Sequence, residues 1–382
     1  MWVAVPGAVR ACQVPVFRYA LERWLSDPYE LVVVTGPEGL SPAREQVLRA
    51  LRAATTDQTS LVNLTLRVVA ETAPPAGTSP PPETPRFELY YPAKLRPFLT
   101  ADPIWRGPVT AENAARVLRS PARTELVKRL LAGDSAVWVL LETSDPGKNA
   151  AAEAALKGMI AEAAARLKIP EGVIGLHEID AGRRPAPEEA ENVLQARIPL
   201  KIAFSLLRVS RDDPEEAVLR GMLLHLEDDL GDYADQPLAF PVFGRGRALE
   251  PLIGAGLTRD NVLRASGYLC GPCSCVVKEQ NPGVDLLIAA NWDAALAGSE
   301  VVPDKVLPPL AGFPGPAAAT ENAPSSDEAS PGEALPLPPD APPGAAPPAE
   351  GGLSPWEALG LVLLAVLAVI GIASWKMKRN TT

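Results

Sequence analysis

SAVWVLLETSDPGKNAAAEAALKGMIAEAAARL, residues 135–167, is the stretch on which the fold turns. Residues 135–142 form an apolar run closed by Glu142 and read as a strand. From 149 to 167 alanine, leucine, glutamate and lysine dominate, so that segment reads as a strong helix. Strand followed by helix is the repeating unit of an α/β fold.

The same alternation runs upstream. WVAV (2–5) reads as a short strand, and PVFRYALERWL (15–25) as a helix with Phe17, Leu21, Trp24 and Leu25 at helical spacing and Pro15 in its first turn. YELVVV (29–34) is a buried-strand run. SPAREQVLRALRAA (41–54) opens with Ser41 as cap and Pro42 at the first helical position. LVNLTLRVV (61–69) and FELYY (87–91) read as strands around a proline-rich loop (73–85). TAENAARVLRSPARTELVKRLLAG (110–133) reads as a helix broken near Pro121 and ending at Gly133.

It also runs downstream. IPLKIAFSLLRVS (198–210) reads as a strand and PEEAVLRGMLLHLEDDL (214–230) as a helix capped by Asp213. LAFPVFGRG (238–246) and ALEPLIG (248–254) read as a hairpin turning at GRGR (244–247). TRDNVLRASGYL (258–269) reads as a helix capped by Thr258.

This order resembles a thioredoxin-like fold used twice, over roughly residues 2–270. The implied division is a first thioredoxin-like domain over 1–133 and a second over 134–302. In that family the first helix opens at a C-x-x-C, and a cis proline opens the first hairpin strand and faces it. The resemblance puts Cys12-Gln13-Val14-Pro15 in the motif's place in the first half, with Cys12 matching the nucleophile and Pro15 replacing its resolving partner. Pro85 and Pro237 match the facing proline. Thr143-Ser144-Asp145-Pro146 occupies the motif position of the second half and holds no cysteine.

Cysteine concentrates elsewhere. GYLCGPCSCVVKEQNPGVDLL (267–287) carries Cys270, Cys273 and Cys275, three of the chain's four cysteines. CGPC is the thioredoxin tetrapeptide, yet here it follows a helix instead of opening one, and it leads into CVVK, which reads as strand. A helix N-terminus would lower a thiol pKa, so activation by that route is not expected. Three readings stand. A disulfide, most simply Cys270–Cys273, would pin the Gly271-Pro272 turn and suit an exported domain. A thiol-exchange site would use Cys270 as attacker, Cys273 as resolver and Cys275 as a third sulfur, with Cys12 a remnant nucleophile. A zinc or copper site would take Cys270, Cys273 and Cys275 and need a fourth ligand from Cys12, His177 or His225. Asn281-Pro282-Gly283 reads as a turn into a strand, with Asp285 a solvated strand-end carboxylate.

The 382 residues carry a net charge of −10 without a basic face, which argues against nucleic-acid binding. Residues 303–355 hold seven acids against Lys305, and roughly fifteen prolines, a composition that stays disordered and acts as a semi-stiff spacer. LGLVLLAVLAVIGIAS (359–374) is uninterrupted and apolar between Trp356 and Trp375; with its flanks, residues 356–375 read as a transmembrane helix, so the bilayer is the expected partner. A partner protein's thiol or disulfide is the other. The basic tail 376–382 belongs on the cytoplasmic side, which puts residues 1–302 outside. MWVAVPGAVRACQVP lacks an export signal, so either the true start lies upstream or the protein is tail-anchored with its domain in the cytoplasm. No H-E-x-x-H or Walker motif appears, and two histidines in unrelated segments make no hydrolytic triad. The acids beside His225 in LHLEDDLGD read as a solvated helix end. The sequence thus presents a membrane-anchored thioredoxin-like protein with possible thiol–disulfide exchange, set against a non-enzymatic binding module or a soft-metal carrier.

Overall fold

The computed structural model describes residues 12–56, 61–71, 85–273 and 276–297. The expected strand at 2–5, most of the loop 73–85, Cys275, the spacer 303–355, the apolar span 356–375 and the tail 376–382 lie outside those residues.

The architecture is mixed α/β with two sheets. In chain order the elements are α1 (Val16–Arg23), β1 (Tyr29–Thr35), α2 (Pro42–Thr56), β2 (Leu64–Ala70), β3 (Arg86–Tyr90), β4 (Trp105–Pro108), α3 (Ala111–Leu118), α4 (Pro121–Leu131), β5 (Ala136–Leu141), α5 (Pro146–Arg166), α6 (Leu176–Asp180), β6 (Phe204–Val209), α7 (Ala217–Leu224), β7 (Leu238–Phe243), β8 (Arg247–Ala248), β9 (Leu252–Ile253), α8 (Arg259–Cys270), β10 (Val284–Asp285) and α9 (Trp292–Leu296). The first sheet runs β2-β1-β3-β4, with β1 and β2 parallel and the other pairings antiparallel. The second runs β10-β8-β7-β5-β6, with β9 also on β7; here β5 and β6 are parallel and the rest antiparallel.

The opening stretch shows why its residues take these forms. Val137, Val139 and Leu141 alternate with Trp138 and Leu140 along β5, and the pleat sends the two sets to opposite faces. The first set enters the largest core. The second packs on Leu156 and Ile160 of α5 and Val262 of α8. Covered on both faces, β5 is apolar throughout. Helix α5 starts at Pro146, three residues before the expected 149, because Asp145 caps it, accepting from Gly147 N at 2.8 Å and Lys148 N at 3.2 Å.

The break expected near Pro121 yields two helices. Ser120 caps α4 and accepts from the Arg123 amide, and Thr110 caps α3. Other expectations need correction. The 198–210 strand narrows to β6. The 214–230 helix is a 3-10 turn capped by Asp213, then α7 ending at Leu224. The described part of CVVK, residues 276–278, is not a strand: Val276 and Val277 are exposed, and Lys278–Gln280 is a 3-10 turn. Strand β4 and helix α6 were not read from the sequence.

One core joins the two sheets. Leu31, Val33, Phe87 and Leu89 of the first cluster with Val137, Val139, Phe240 and Val242 of the second, and Leu126 and Leu130 of α4 and Leu219 and Met222 of α7 belong to the same cluster. The chain ends are exchanged. Helix α1 packs on α8 and β7 at the second sheet. Residues 286–296 return to the first: Val62 bridges Ala289, Ile288 N donates to Asn63 Oδ1 at 2.8 Å, and Ala290 N donates to Leu61 O at 3.0 Å.

Candidate functional site

Cys12, Cys270 and Cys273 are brought into one buried cluster, with Val14, Val16, Phe17, Leu194, Phe243 and Leu269. Backbone pairing does this. Val16 N donates to Gly271 O at 3.0 Å, Cys273 N donates to Val14 O at 2.9 Å, and Pro15 lies opposite Pro272 as an antiparallel bridge. The two cysteine-bearing loops are thus laid side by side although they are about as far apart in the chain as described residues can be.

Cys12 donates to Glu191 O at 3.2 Å, and Gln13 N donates to Asn192 Oδ1 at 2.7 Å. A buried pair fastens α1 to the same side: Arg18 Nε meets Glu22 Oε1 at 2.7 Å, and Glu22 accepts from the amides of Gln195 and Ala196 at 2.9 and 3.0 Å. Burial pushes the Cys12 thiol pKa up. Cys270 is only 2 % exposed, and burial pushes its thiol up to about 12 against the opposing hydrogen bond from Ser135. Cys270 is also the last residue of α8, the end of a helix whose dipole disfavours a thiolate. Among the described residues no disulfide joins Cys12, Cys270 and Cys273 to one another. Neutral buried thiols are inert as nucleophiles.

The placement of Cys12 differs from the one the thioredoxin resemblance implies. The strand that leads by a crossover helix to its parallel neighbour in the first sheet is β1, and the helix is α2. The turn opening that helix is therefore residues 36–41, GPEGLS, which holds no cysteine. Cys12 instead opens α1, whose partners lie in the second sheet.

Among the described residues neither histidine joins a ligand set. His177 lines a cavity of about 410 Å3 together with Leu194 and Leu200, and the ring of His225 sits 2.8 Å from Gly221 O at the end of α7. Among the described residues no group of three His, Cys, Asp or Glu side chains is arranged to hold a metal; Cys275 lies outside them.

Sequence reasoning missed the charges behind the cysteine loop. Asp285 is buried, not solvated. It meets Arg247 Nη1 at 3.1 Å and Lys278, and accepts from the Asp27 amide at 2.8 Å. Lys278 also pairs with Asp27 at 3.1 Å, and Lys94 bridges Asp27 and Glu279 at 2.8 Å each. Trp24 Nε1 donates to Val276 O at 3.1 Å. These contacts hold residues 276–285 against the loop after α1. The only hint in the sequence was the Asn281-Pro282-Gly283 turn, which aims Asp285 inward. Compared with family models, with curated proteins and with solved structures, the chain gives no match in any of the three.

Proposed function

We propose that this chain is a membrane-tethered, non-enzymatic binding module built from two degenerate thioredoxin-like halves, in which the CGPC cysteines serve packing and not exchange. The shared strand order supports the family reading. In each sheet a central strand pairs in parallel with the strand reached through a crossover helix, then antiparallel with the next strand, which carries a fourth. The inert chemistry rests on one observation above all, the buried Cys270 thiol at a helix C-terminus with its pKa near 12. In this reading residues 303–355 space the module from a bilayer crossed by residues 356–375, with residues 1–302 on the extracytoplasmic side.

Thiol labelling tests it. In the folded chain near neutral pH, Cys12 and Cys270 are expected to react with a maleimide only after denaturant is added. Rapid labelling of the native protein, together with catalysed reduction of a disulfide substrate, would restore the exchange reading. A bond between cysteines with a reduction potential well below about −300 mV would mark a structural disulfide. Stoichiometric zinc or copper in the purified protein would favour the metal reading instead.

A further inference from the structure

The outer strands of the two sheets are guarded unequally. Strand β4 is four residues long and ends at Pro108, which has no N–H to offer. Strand β10 is two residues long. On β6 the carbonyl of Leu206 already accepts from Arg129 at 2.8 Å. Strand β2 has none of these guards. It pairs with β1 along all seven of its residues, and among the described residues no strand pairs with its other side. An open edge of that length is a template for another strand.

Register tells which groups lie on that edge. Tyr29 N donates to Asn63 O at 2.9 Å and Glu71 N donates to Thr35 O at 2.8 Å, so Asn63, Thr65, Arg67, Val69 and Glu71 turn their backbone groups towards β1. Leu66 and Val68 alternate with them and turn theirs away. On the core side of the sheet Leu64, Leu66 and Val68 stand beside Tyr29, Leu31 and Val33. Leu31 and Val33 are fully buried, whereas Val68 is 42 % exposed, so the apolar face runs on to the rim of the sheet and lies open there. The opposite side of β2 carries Arg67, tied to Glu30 at 2.5 Å.

The strand is complementary to itself. Antiparallel pairing with β2 of a second copy, about a two-fold axis at Leu66, sets Leu66 opposite its own mate and Val68 opposite Leu64. The outward backbone groups then meet in hydrogen-bonded pairs, and the three apolar side chains carry the core face across the junction. Arg67 falls opposite Thr65, so no like charges meet; moving the axis one residue, to Arg67, would set the two guanidinium groups face to face. We propose that the chain forms a two-fold dimer joined along β2, in which the first sheets of the two copies run on as one. This inference is independent of the thiol chemistry and of the tether.

Single cysteines placed in the full chain test both the dimer and its register. L66C should give a covalent dimer on mild oxidation, since hydrogen-bonded antiparallel partners stand about 5.5 Å apart at Cα, within reach of a disulfide. V68C should give none above the parent, because its two copies lie about 14 Å apart along the ladder. Linking through V68C, or through neither variant, overturns the proposal. Light scattering on the full chain in a mild detergent supplies the second measurement. The parent should show twice the chain mass, and V68K, which puts a charge on the apolar ladder, should weaken the dimer at least about tenfold. A parent of single-chain mass would leave the edge to some other polypeptide and overturn the proposal, as would a dimer that V68K leaves intact.

Discussion

At the scale of the residue, Asp285 carries more of the structure than its neighbours do. Its carboxylate is the shared partner of Arg247 and Lys278, and all three side chains are buried. Removing it takes the ion-pair partner from buried Arg247 and leaves Lys278 only Asp27, and breaking a buried pair in this way costs about 3–5 kcal/mol. The D285A variant should therefore unfold at markedly lower urea, and a shift below about 1 kcal/mol would mean that the carboxylate is solvated after all. Cysteine gives the opposite lesson. The CGPC letters promise reactivity, but reactivity depends on where a helix begins, and Cys270 stands where one ends.

At the scale of the element, the apolar contact between α5 and α8 carries an acid-sensitive ion pair at its edge. Glu162 accepts from Arg259 Nε at 2.7 Å and pairs with Arg166 at 2.9 Å, and the Arg259 hydrogen bond, with Arg166 second, holds its carboxyl near 2, below the ordinary glutamate value of 4.5. A depressed carboxylate contributes fully above its unfolded pKa and loses that contribution as pH falls through its folded one. Thermal stability should thus drop between about pH 4.5 and pH 2 in the parent, with a smaller drop in E162Q. Equal slopes in the two proteins would remove Glu162 from the account. The pair is exposed, so the effect is modest and weakens with salt.

The same scale shows what the sequence made legible. Strands β1, β3, β5 and β7 and helices α2, α5 and α8 lie close to their expected positions: β1, β5 and β7 carry apolar runs, β3 carries Phe87, Leu89 and Tyr90, and the helices follow capping residues. Strand β4 was invisible because WRGP has neither apolar alternation nor a β-branched residue; its pairing with β3 makes it a strand. Helix α7 ends at Leu224, although Leu226 and Leu230 beyond it stay buried in the same core. The cysteine cluster was half legible. Its loop at 270–273 stood out, but nothing local announced that residues 13–16 would lie beside it, since that pairing is set by the packing of α1 on α8.

At the scale of the whole molecule, the single core across both sheets makes them one cooperative unit. Leu126 of α4 is fully buried in that core. L126A should cost about 2–5 kcal/mol and speed amide exchange in β1, β3, β5 and β7 alike. Faster exchange confined to one sheet would show that the halves unfold separately.

The exchanged ends set an order of events during synthesis. A ribosome delivers β1 to β4 long before Leu286, Leu287, Ile288 and Trp292, which complete their core. Helix α1 precedes all of its partners, residues 191–196, β7 and α8, and its buried face is covered only as these emerge. The nascent polypeptide therefore carries greasy surfaces open at both sheets until residues 259–292 have been released.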